Sequence, residues 1–194
     1  MSVDELSGYA GWAMTTVGEV EDYKHFLPRI LELAVSSGVL EPEIVASKLR
    51  YGHWQDWPPQ EKSALIDVFC EACVQALDEH TDEYDASCWF CGMAKLAIDL
   101  QPTMQAWESA SSSNAALQLA QLLRSTLLFE NDVDEMGYWG DIASETVRSI
   151  RAWLLGPNVH TRLTLARLAT ASNDIWMLDQ ALGARDRLVR QQVQ

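Results

Sequence analysis

Two Cys-x-x-Cys pairs stand closest to chemistry: Cys70 and Cys73 in CEAC, and Cys88 and Cys91 in CWFC. The full pattern, C-x2-C-x14-C-x2-C, lies just outside the spacing of about 15 to 20 intervening residues that marks a four-cysteine zinc site. Such a site needs four thiolates converging tetrahedrally on one ion. If the pairs sit on neighbouring antiparallel helices joined by the acidic turn DEHTDEYD, Cys70 matches Cys91 in height and Cys73 matches Cys88. Facing is the harder condition. At about 100° of rotation per residue, Cys73 falls inside the apolar arc of its helix, Cys70 falls at its edge, and Cys91 falls just outside the arc of the second helix. Cys88 falls on the side of Lys95 and Asp99, turned away from the core. Four sulfurs on that geometry do not converge, and cysteine is at home in a core as a small hydrophobe. The residues therefore favour structural cysteines, with zinc on Cys70, Cys73, Cys88 and Cys91 as the alternative. A loop knuckle at CWFCG, with Gly92 supplying the turn, is the arrangement that would rescue it. A thioredoxin-like redox pair lacks its βαβ context.

Other candidates are weaker. The four histidines, His25, His53, His80 and His160, show no H-x-x-x-H or H-E-x-x-H spacing. His80 lies among Asp78, Glu79, Asp82, Glu83 and Asp85, which could attract a cation but read as a solvated turn. ENDVDEMG offers Asp132, Asp134 and Glu135 without the Gly and distal Glu of a calcium loop. No phosphate loop, dinucleotide fingerprint or nucleophile elbow occurs, and 28 acidic residues make any choice of a catalytic carboxylate pair arbitrary. Of eight tryptophans, Trp12, Trp89, Trp107, Trp153 and Trp176 sit within helical patterns and read as packing. Trp54 and Trp57 occupy a turn beside Gly52, His53, Asp56 and Pro58. They read either as a plug seating that turn or as an exposed aromatic anchor for a partner.

The elements that must position these residues are helical throughout. Ser2 and Glu5 make a capping box. In EDYKHFLPRILELAVSSG, Pro28 suits the first turn of the main helix and Gly38 its stop. EPEIVASKLRYG opens at Pro42 and closes at Gly52. Asp56 is a candidate cap for a helix over roughly 58–79, opened by Pro58 and Pro59. Another helix follows over roughly 84–100, then a short piece at PTMQAWES, and one around AALQLAQLLRSTLLF after the SSSN break. Three more are expected: Asp141 to Leu155, about 158–170, and about 174–190. No window alternates apolar and polar residues, so no strand is expected. Short connections would make successive helices antiparallel neighbours. The expectation is all-α: about ten helices in antiparallel hairpins, forming an irregular bundle or a short HEAT-like α-solenoid. The chain reads as one domain over 1–194, with a sub-boundary near the linker-like 130–140 loop.

The segments YKHFLPRILELA, KLRYGHWQDWPPQE and DLQPTMQAW resemble a family of uncharacterised bacterial all-helical proteins, over roughly residues 20–110. The resemblance implies a bacterial, all-α, cytoplasmic protein, and it brings no activity, cofactor or catalytic residue.

The whole chain sets the exclusions. Its 194 residues carry a formal net charge of −14, which argues against nucleic acid as a partner. Residues 1–139 hold 7 basic and 23 acidic side chains, whereas 140–194 hold 7 arginines against 5 acids. That asymmetry reads as a solvated acidic face, or as an Arg-bearing end that meets an acidic surface on another copy or another protein. No apolar run approaches the roughly 20 residues of a membrane span. An acidic N-terminus without a basic start and apolar segment makes a signal peptide unexpected, and the cytoplasm is the expected location. Together these features favour a non-enzymatic helical protein–protein interaction module, binding a partner or itself. The alternatives are the metal-binding protein already described and a small-molecule-binding helical protein with a cleft lined by Trp and carboxylates.

Overall fold

A computed structural model describes residues 3–127, 139–169 and 173–192. Ten α-helices occupy them: α1 Val3–Trp12, α2 Val20–Ser37, α3 Pro42–Tyr51, α4 Pro59–Ala76, α5 Ala86–Lys95, α6 Gln101–Ser109, α7 Ser113–Leu127, α8 Ser144–Leu154, α9 Pro157–Ala169 and α10 Ile175–Gln192. A single 3-10 turn spans Trp54–Asp56. The protein is all-α: among the described residues there is no strand, only an isolated bridge between Ala13 and Val17. None of the described helices is long and apolar enough to cross a membrane.

Helix ends follow the local chemistry in most places. Gly38 ends α2 at φ 62°, in the left-handed region that only glycine enters without steric cost. Pro42 opens α3, and Gly52 follows its last residue. Three expectations need correction. Pro28 lies inside α2 on its exposed side, because the helix begins earlier, at Val20, where the Glu19 N–H bonds the Asp22 carboxylate at 2.9 Å. Asp56 belongs to the 3-10 turn, so it is not the residue that caps α4. The helix expected over roughly 84–100 stops at Lys95. There Ala97 takes the left-handed conformation at φ 55°, with the Ile98 N–H bonding the Met93 carbonyl at 3.0 Å and the Ala97 N–H bonding Ala94 at 3.2 Å. This is a Schellman ending with alanine where glycine is usual. Ser2 of the expected capping box lies outside the described residues.

The chain forms two compact units, 1–72 with 88–99 and 73–87 with 100–194. It crosses from the first to the second within α4, between Ala72 and Cys73. Residues 130–138 of the expected sub-boundary lie outside the described residues. In the first unit α1 packs on α2 and α3, and Tyr23, Ile30, Leu49, Phe69, Phe90 and Met93 are its largest fully buried side chains, with Leu96. In the second unit α7 packs on α9 and α10, and α9 also meets α6, α8 and α10. Residues 115–120 of α7 are buried without a break, the pattern of a helix surrounded on all sides.

Candidate functional site

The four cysteines divide between the two units, Cys73 in the second and Cys70, Cys88 and Cys91 in the first. No disulfide joins them, and among the described residues no three His, Cys, Asp or Glu side chains come together to hold a metal ion. In the second unit, buried Cys73 donates its S–H to the Ala86 carbonyl at 3.6 Å. In the first unit, burial pushes the Cys91 thiol up to about 12; nearby Glu43 adds to the rise and Lys95 opposes it. Burial also raises Cys70, assisted by Asp67, Asp99 and Glu71. Both environments favour the thiol over the thiolate, which is the species that binds metal or attacks an electrophile. Cys88 is half-buried. Its expected neighbour on a solvent face, Lys95, is itself buried, because α5 presents almost no solvent face. Gly92 is not a loop turn either. It lies within α5, where a Cβ would stand 2.7 Å from Cε1 of the buried Phe69 ring.

The turn between the pairs is held by one buried amide. The fully buried Gln118 donates to the carbonyls of Glu79 at 3.0 Å and Tyr84 at 2.6 Å, and accepts the Ala86 N–H at 3.0 Å. Asn114 donates to the Asp78 carbonyl at 2.7 Å, and Ser112 to that of Leu77 at 3.4 Å. Asp78, Glu79, Asp82 and Glu83 are exposed. Asp85 instead caps α5, accepting the Ser87 N–H at 2.8 Å. The imidazole of His80 lies 3.6 Å from Asp174 and 3.5 Å from Asp82. Asp132, Asp134 and Glu135 lie outside the described residues.

Trp54 and Trp57 are only 5% and 8% exposed, so neither is a protruding anchor. Trp57 donates its indole N–H to the Gly52 carbonyl at 3.0 Å, which fastens the turn after α3. Its ring lies under the Lys24 ammonium, 4.6 Å from ring centroid to Nζ. Lys24 in turn sits 2.8 Å from Glu61 and 3.9 Å from Glu21. This assembly marks a groove of about 720 Å³ between α2 and α4, lined by Leu27, Pro28, Leu31 and Val35 on one side and by Ala64, Leu65 and Val68 on the other.

The groove follows from helical spacing. Positions 24, 28, 31 and 35 fall on one stripe of α2, and 61, 64, 65 and 68 on one stripe of α4. Its open side arises at exposed Pro28 and Ala64: the small Ala64 side chain fills little of the space between the helices. Pro28 also has no N–H to give the Lys24 carbonyl, as proline never does within a helix.

Buried charge elsewhere supports the scaffold. Lys48 donates to the Ala13 carbonyl and to Thr15 Oγ1, both at 3.0 Å, and so caps the C-terminal end of α1; burial lowers its pKa. Lys95 donates to Ser47 Oγ at 3.2 Å. In the second unit, Arg162 donates to the Ser112 carbonyl at 2.9 Å. Arg185 donates to the Leu155 and Gly156 carbonyls at 2.5 and 3.1 Å, where a cation complements the end of α8. Two of the seven arginines after residue 140 thus have an internal use. Sequence reasoning missed Glu43, Lys48, Lys95 and Arg185 as buried groups, since a charged residue in a helix carries no local mark of burial.

No family model, no curated protein and no solved structure matches the chain.

Proposed function

We propose that the protein is a non-enzymatic helical interaction module, acting in the cytoplasm, whose groove between α2 and α4 receives the apolar face of a helix from a protein partner. The observation that carries this reading is the groove itself: an open, almost wholly apolar trough, bounded at one end by Trp57 and the Lys24–Glu61 pair. From Lys24 to Ser36 it runs twelve residues along α2, about 18 Å at 1.5 Å per residue. That is the length of roughly three turns, which suits an occupant with apolar residues at i, i+3/i+4 and i+7. Lys24 is engaged by Glu61 and by the Trp57 ring, so the groove offers apolar contact in preference to a free counter-ion. The net charge of −14 favours a protein partner over nucleic acid.

A second reading rests on the same volume, which falls within the roughly 300–1,000 Å³ of small-molecule pockets: an apolar metabolite would occupy the groove. To separate them, a diazirine side chain is placed at Val35 and cross-linked in the native cell, with and without Ala64→Trp, which fills the groove from the exposed side. The proposal predicts a discrete protein adduct that Ala64→Trp abolishes. A protein adduct that persists in Ala64→Trp, or an adduct of small-molecule mass only, would overturn it.

A further inference from the structure

A second groove, of about 710 Å³, lies within the second unit between α7 and α10, lined by Gln121, Arg124, Asp179, Gln180, Gly183 and Arg187 among others. It is a basic groove on an acidic chain, which has 28 acidic residues for 14 basic ones. Among the described residues neither Arg124 nor Arg187 has a carboxylate within 4.0 Å, unlike Lys24, Arg29, Arg167 and Arg185 and like Lys48, Lys62, Arg148, Arg162 and Arg190. The one acid in the groove, Asp179, is bound by Arg167. Two guanidinium groups therefore face one groove without an ion-pair partner among the described residues.

Arg124 is also pre-positioned. Its guanidinium lies 5.0 Å from the Trp176 ring, and its Nη1 donates to Gln121 Oε1 at 3.2 Å. Stacking on an indole occupies the guanidinium face and leaves N–H donors at the edge, the part that pairs with an oxyanion. Trp176 remains 47% exposed, and Trp and Arg are the residue types that dominate interface energetics. Gly183 leaves the floor open, since a Cβ there would meet only Arg187 Nη1 at 3.8 Å.

From this we infer that the α7–α10 groove binds an acidic segment of a partner protein, with two of its carboxylates taken by Arg124 and Arg187. The groove is much larger than a single inorganic anion needs, and Gln121 and Gln180 supply amide donors and acceptors suited to a peptide main chain. The inference uses residues of the second unit alone, so it stands or falls independently of the groove between α2 and α4.

The test is fluorescence anisotropy of a labelled Glu–Ser alternating decapeptide with the full chain at low ionic strength, beside a Gln–Ser decapeptide. The Glu peptide binds and the Gln peptide does not. Arg124→Gln and Arg187→Gln each weaken binding about tenfold, as loss of one charge-assisted hydrogen bond implies, and added salt weakens it further. Arg148→Gln, on α8 outside the groove, leaves it unchanged. Circular dichroism confirms that the variants stay folded. Equal binding of the two peptides, no binding of the Glu peptide, or indifference to both arginine substitutions overturns the inference. So does displacement by inorganic phosphate at equal affinity, which assigns a free-anion pocket. Arg124-dependent self-association by sedimentation also overturns it, because the occupant would then be a second copy.

Discussion

Replacing Gln118 with leucine keeps the volume of a fully buried side chain and removes three hydrogen bonds at once. The carbonyls of Glu79 and Tyr84 lose their donor, and the Ala86 N–H loses its acceptor. Each buried polar group left unpaired costs about 1–3 kcal/mol. The three are not equally enclosed: the bonds to the Glu79 and Tyr84 carbonyls are part-buried, whereas the one from the Ala86 N–H is buried. Taking the low end for the carbonyls and the high end for the N–H gives about 3–5 kcal/mol. With a urea slope of about 2 kcal/mol per M, the midpoint falls by roughly 1.5–2.5 M. Gln118→Glu sharpens the test. Its carboxylate still accepts from Ala86 but faces two carbonyls without a proton to donate, so folding favours its neutral form and raises its pKa. Its deficit against the parent is then greatest at neutral pH and shrinks as pH falls and the carboxyl becomes a donor. Urea titrations across pH read both effects. A leucine variant within about 0.5 M of the parent midpoint, or a glutamate variant whose deficit grows in acid, would refute the clamp.

Other outcomes follow from single contacts. Gly92→Ala drives a methyl into the Phe69 ring, 2.7 Å from Cε1, and costs about 1–3 kcal/mol as overpacking, read by thermal melts. Ala97→Gly relieves the left-handed residue that ends α5 and stabilises by about 1 kcal/mol, measured in the same way. The Cys91 thiol is raised from an ordinary 9.0 to about 12, so folding favours its protonated form. Its contribution is complete below pH 9, is lost as pH rises toward 12, and shows as a falling urea midpoint that Cys91→Ala flattens. At pH 8 the native protein leaves Cys91 unalkylated by iodoacetamide, as peptide mass mapping will show.

Where the fold was legible in the sequence, the signal was local. Pro42 and Gly38 mark helix ends because their backbone restrictions act without reference to the rest of the chain. Pro28 misled for the same reason: the strongest local rule places proline in a first turn, while the Glu19–Asp22 bond starts α2 earlier. Helical rotation puts Cys73 inside and Cys70 at an edge, in keeping with their buried and half-buried positions, but it presumes a solvent face on α5. With Ser87 and residues 89–96 buried, no arc distinguishes Cys91 from its neighbours. The candidate site was less legible still. Trp57 reads from the sequence as a turn residue, yet its place in the groove depends on Leu31, Val35 and Ala64, which the chain brings together from two helices. Gln118 and Lys95 show the same limit, since each meets partners more than thirty residues away.

The central claim, a helix seated between α2 and α4, is met most directly by mapping two cross-links on one partner. Pro28 and Val35 both line the groove, seven residues and about 10.5 Å apart along α2. Diazirine side chains at these two positions should label partner residues about seven apart on one helical face, running in one direction along the groove. Adducts scattered over unrelated partner segments, or carried by a small molecule, would contradict it.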